Sequence, residues 1–97
     1  MMKNVTKEQT KDQLLCGGWT AYHELTKEDQ LVFDVATKGI TGVDYVPYLV
    51  STQVVEGINY RFKCRASLPK AEVMWEAVVQ IYAPLERTPF ITHIYPI

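Results

Sequence analysis

Ninety-seven residues, 47 % of them hydrophobic and 22 % charged, are enough for one domain with a single two-layer core and too few for two. Lys and Arg number 10 against 11 Asp and Glu, and a formal charge of −1 gives no electrostatic case for nucleic acid or for a membrane surface as partner. No apolar run approaches the roughly 20 residues of a membrane span, so no membrane partner is expected either.

Residues 1–14 are polar and rich in Lys, Gln and Thr, without an apolar repeat that could dock them, and a flexible tail is expected ahead of a single domain over 15–97. The start also lacks the apolar segment of a secretory signal. A cytoplasmic location is therefore expected for the sequence as written, with secretion the alternative if a signal has been removed. Leu15-Cys16-Gly17-Gly18 then sets two apolar side chains before a glycine pair, which reads either as a bendable arm or as a plain linker to the helix. Thr26 with a carboxylate three residues on, at Asp29, fits a capping box. Leu31, Val32, Val35, Ala36 and Ile40 recur at helical spacing around a stop at Gly39, so a helix is expected over about 26–38.

Thr41 to Asp44 is a turn, and Tyr45 to Val55 is a β-branched and aromatic strand in which Pro47 marks the start or a bulge. Beyond Gly57 the chain alternates cleanly: Tyr60, Phe62, Cys64 and Ala66 belong to one face, Asn59, Arg61, Lys63 and Arg65 to the other. After a turn at Leu68-Pro69-Lys70, Val73, Trp75, Ala77, Val79 and Ile81 are expected in the same core. Glu72 and Glu76 are expected to face the Arg and Lys stripe across the sheet, which accounts for the stripe without a nucleic-acid site. Ala83 to Pro89 is a loop bounded by prolines, and Phe90 to Tyr95 closes the sheet. The pattern predicts an α+β fold, one helix packed across an antiparallel sheet of four to five strands.

A catalytic constellation is not evident. Cys64 points to the core, where a thiol is inert, and Cys16 has nothing beside it to orient a base, so Cys16 and Cys64 with His23 and His93 make a poor nucleophile–base set. Their spacing also fails to match a metal site, and two cysteines so placed are expected to be free thiols. No enzyme activity, metal or cofactor is expected.

The stretch that points to function is Gln53-Val54-Val55-Glu56-Gly57, followed by Asn59-Tyr60. As residues it is a hairpin tip, with Gly57 supplying a positive φ. It resembles the Gln-x-Val-x-Gly signature of the cystatins and stefins, inhibitors of papain-like cysteine proteases. Leu15-Cys16-Gly17-Gly18 is similar to the Leu-Val-Gly-Gly arm of secreted members, with Cys16 for a small aliphatic residue. Ala83-Pro84-Leu85 keeps the proline of the second hairpin loop and lacks its tryptophan. The resemblance covers residues 15–97 and implies a cystatin-like fold, in a stefin-like single domain without disulfides. It also implies reversible, tight-binding inhibition by a three-part wedge, in which the arm (Leu15, Cys16, Gly17, Gly18), the tip (Gln53, Val54, Val55, Glu56, Gly57) and the second loop (Ala83, Pro84, Leu85) contact a papain-like cysteine protease. Gly57 would let the tip approach the cleft floor, so replacing it should sharply weaken inhibition while costing the fold only about 1 kcal/mol. Glu56 stands where cystatins often carry alanine, and its carboxylate needs solvent or a basic partner. A monomer is expected, with a strand-swapped dimer as the alternative assembly and a non-inhibitory binding module of the same fold as the alternative function.

Overall fold

A computed structural model describes residues 17–97; the expected tail 1–14 and the candidate contacts Leu15 and Cys16 lie outside the described residues. The helix α1 runs Lys27–Ala36. Its start is the expected capping box: Thr26 Oγ1 accepts from the Asp29 N–H at 3.1 Å, and the Asp29 carboxylate accepts from the Thr26 N–H at 2.9 Å. It ends as the Thr37 hydroxyl donates to the Phe33 carbonyl at 2.8 Å.

Ten residues are marginal as an isolated helix, so packing must hold this one. Phe33, 3 % exposed, meets Phe62 edge-on with ring centroids 5.0 Å apart, and Leu25, Val32 and Ala36 pack around them. The expected stripe is correct for Val32 and Ala36 and wrong for two others: Leu31 is 61 % and Val35 39 % exposed. At about 100° per residue, Leu31 and Val35 lie on the side of the helix opposite Phe33. The largest side chain sets the rotation, and the buried Asp29 is accommodated on its side because the cap satisfies it.

The strands β1 Asp44–Val55, β2 Gly57–Leu68, β3 Val73–Ala83 and β4 Phe90–Pro96 form one antiparallel sheet in the order β1-β2-β3-β4. The register of β1 shifts between Pro47 and Leu49, a bulge beside the proline that lacks an N–H for the ladder. The alternation of β2 is as expected, with Tyr60, Phe62, Cys64 and Ala66 all buried, and Ala77, Val79 and Ile81 of β3 lie buried as well. Val73 and Trp75 depart from expectation: Val73 is exposed and Trp75 half-buried. A ten-residue helix spans about 15 Å and the eleven residues of β3 more than twice that, so the start of β3 runs out beyond its cover.

The other departure is at the edge. Where the sequence suggested an arm or linker, Gly17 to His23 runs antiparallel along β1, with bridges Trp19–Gln53 and His23–Val50. The Thr20 N–H donates to the Thr52 carbonyl and the His23 N–H to the Val50 carbonyl, both at 2.9 Å, while the Ser51 hydroxyl donates to the Thr20 carbonyl at 2.6 Å. The segment satisfies an edge that would otherwise stand open. No helix among the described residues is long and apolar enough to cross a membrane.

On the face away from the helix the cations of β2 lie over rings: Arg61 over Trp19 at 3.9 Å, Lys63 over Tyr22 at 4.4 Å and Arg65 over Tyr48 at 5.2 Å. The expected facing of Arg/Lys and Glu across the sheet holds for the pair Arg65 and Glu76 and fails for Glu72. Glu76 is opposite Arg65 in register, but its carboxylate accepts from the Tyr48 hydroxyl, and Glu72 lies in the preceding turn at φ 54°.

Candidate functional site

In an antiparallel meander the first and third connections fall at the same end of the sheet. The edge segment, antiparallel to β1, begins there too, because the Gly17 N–H donates to the Val54 carbonyl at 3.3 Å. Three segments far apart in sequence thus meet: Gly17 and Gly18, the tip Gln53 to Gly57, and the loop that begins at Ala83-Pro84.

The tip is tight. Val55 pairs with Gly57, leaving Glu56 exposed at the apex. Gly57 has φ +105°, a conformation that costs an L side chain about 1 kcal/mol or more, and it is buried. A Cβ added there would lie 2.4 Å from the Ala83 carbonyl oxygen, 3.1 Å from Pro84 Cα and 3.2 Å from Tyr82 Cε1. The expectation that Gly57 is only moderately needed for folding is therefore overturned. Its missing side chain is the space into which the second loop packs.

Gln53 ties the tip to the edge segment with one end of its amide and to β2 with the other. Its Nε2 donates to the Gly17 carbonyl at 2.9 Å, and its Oε1 accepts from Asn59 Nδ2 at 2.8 Å. Tyr82 braces the apex from the other side: its hydroxyl donates to the Glu56 carbonyl, and its ring sits edge-on to Phe90 with centroids 5.8 Å apart. Carbonyls at positions 17 and 56 are thereby tied to side chains of β1 and β3, so the end of the sheet is cross-braced rather than loose.

Among the candidate contacts, Gly17, Gly18, Glu56 and Leu85 are exposed, Leu85 by 76 %, whereas Val54, Val55, Ala83 and Pro84 are half-buried. What projects is a carboxylate, an isobutyl group and glycine backbone. Asn59 and Tyr82 were not among the candidate site residues, although the alternation of their strands puts both on the outer face, where they pair directly in register. That pairing was the available signal.

The thiol and imidazole candidates stay apart. Cys64 is fully buried, and burial pushes its thiol up to about 12. His23 sits beside β1 with Nδ1 2.8 Å from the Glu24 carbonyl oxygen, and His93 pairs with Gln80 on the far strand β4. Cys16 lies outside the described residues. Among the described residues no group of three or more His, Cys, Asp or Glu side chains is placed to hold a metal ion. Compared with known proteins, the chain matches no family model and no curated protein.

Proposed function

We propose that this protein has a cystatin-like fold and is a reversible, tight-binding inhibitor of papain-like cysteine proteases, acting as a wedge built from the glycine arm, the Gln53-to-Gly57 tip and the Ala83-Pro84-Leu85 loop. The observation that carries this reading is the convergence of those three segments at one end of the sheet, in hydrogen-bonded or van der Waals contact. An inhibitor of this kind needs no reactive group. It occupies a cleft with backbone and apolar atoms already in place, so little ordering entropy is lost on binding. The Gln53 amide and the Tyr82 hydroxyl supply that preorganisation, and Leu85 supplies apolar area at the margin. Glu56 restricts the targets to clefts that leave its carboxylate hydrated or offer it a cation, since burying it unpaired costs several kcal/mol.

The test is a titration of papain with the full chain, following residual activity and its recovery on dilution. Because Gly57 serves the fold, the informative variants are at exposed positions. Leu85→Asp should weaken inhibition at least tenfold, and Glu56→Ala should retain or improve it, with thermal melts unchanged in both. Deleting residues 1–16 should raise the dissociation rate more than it lowers the association rate. A folded protein that leaves papain fully active at high concentration would replace this reading with the non-inhibitory binding module.

A further inference from the structure

We infer that the sheet face opposite the helix is a binding platform for single-stranded nucleic acid, adjoining the proposed protease wedge at Val55 and Glu56. The face carries Arg61, Lys63 and Arg65 at alternate positions of β2, about 6.6 Å apart along an extended strand. Each is held over a ring supplied by the edge segment or β1, so the row of cations is ordered before any ligand arrives. Two strands away on β4, Phe90 and Tyr95 present rings that are 45 % and 39 % exposed. They are about 10 Å from the cation row, given a strand spacing near 4.8 Å.

A row of fixed cations flanked by partly exposed aromatic side chains suits a chain with regularly spaced phosphates on one side and flat bases on the other. An acidic peptide would use the cations and leave the rings idle. Beside the row lies an open depression bordered by Asn59, Gln80, Thr92 and His93, with Val55, Glu56 and Tyr82 at its margin, which offers amide, hydroxyl and imidazole groups to a base edge. The Arg61 Nε–H donates to Gln80 Oε1 at 3.1 Å and so orients that amide. The carboxylates on this face include Glu76, engaged by the Tyr48 hydroxyl, Glu56, which borders the depression, and Asp44, opposite Ser67 at the far end of the row. The formal charge of −1, which argued against nucleic acid, counts the whole chain. The fold gathers three of the ten basic side chains onto one face.

The experiment is fluorescence anisotropy of a labelled single-stranded oligonucleotide of about a dozen nucleotides, titrated with the full chain over a salt series. Saturable binding is expected, with log K falling against log salt at a slope of about −2, since three phosphate contacts contribute about 0.7 each. Arg65→Gln, at an exposed position, should reduce that slope by about 0.7, and Tyr95→Ala should weaken binding about tenfold while leaving the slope unchanged. Circular dichroism would establish that each variant is folded. Absence of saturable binding at low salt, a slope that Arg65→Gln does not alter, or equal competition by polyglutamate would each overturn the proposal, the last by making the face a site for acidic peptides.

Discussion

Both ends of the sheet carry tight connections, yet they are braced very differently. At the end formed by the β2–β3 turn, Pro69 to Glu72 are exposed, the Ala71 N–H donates to the Leu68 carbonyl at 3.1 Å, and Val73 and Met74 just beyond are exposed in turn. At the other end the tip is tied to the edge segment through Gln53, to β3 through Tyr82, and to the second loop through the space at Gly57. A hairpin's own hydrogen bonds define its shape; its rigidity comes from what neighbouring segments place against it. Gly57 and Gly42 isolate the contrast. Both have positive φ, but Gly42, close to the weaker end, has nothing within 4 Å of where its Cβ would stand.

The largest effect should come from substituting those glycines in parallel. Gly57→Ala is expected to cost about 3 kcal/mol or more, from backbone strain plus displacement of the Ala83 carbonyl, and Gly42→Ala only about 1 kcal/mol. Urea unfolding of both variants measures the difference, and equal losses would break the comparison.

The core that joins the two ends should respond to alkali. Burial, with Asp29 and Glu28 adding to it, pushes the Tyr60 hydroxyl from its ordinary 10.0 to about 12, and burial raises the Cys64 thiol from 9.0 to about 12. Below about pH 8 both groups are protonated folded or unfolded, and their contribution is fully present. As pH rises towards 12 the unfolded chain releases protons that the folded chain retains, and stability falls by up to about 1.4 kcal/mol per pH unit for each group. Tyr60→Phe should remove one of the two contributions and flatten the fall above pH 10. Denaturant melts between pH 8 and 11 that give the same slope for both proteins would contradict this assignment.

Smaller effects test the braces one at a time. Tyr82→Phe should cost about 1 kcal/mol, the usual net worth of a hydrogen bond, and Gln53→Ala, which loses two, about 2 kcal/mol. Only Gln53→Ala should speed hydrogen exchange at Gly17 and Thr20, because only it releases the edge segment. The smallest change is expected on the helix: Leu31→Ala should stay within about 0.5 kcal/mol, since that side chain is 61 % exposed.

The sequence by itself determined the features whose causes lie within a few residues of one another. The Thr26–Asp29 cap, the two faces of β2 and the positive φ at Gly57 are of this kind, as is the single helix on an antiparallel sheet that they imply, while Pro47 was legible only as a strand start or a bulge. Tertiary structure decided the rest. Helical spacing alone offered Leu31 and Val35 and passed over Phe33, and it took the ring of Phe62 to select which side turned inward. The docking of Gly17 to His23 along β1, the packing of the second loop onto Gly57 and the placing of Arg61 over Trp19 each join residues more than 25 positions apart. No local pattern records such contacts, because their stability depends on surfaces that exist only once the sheet has formed.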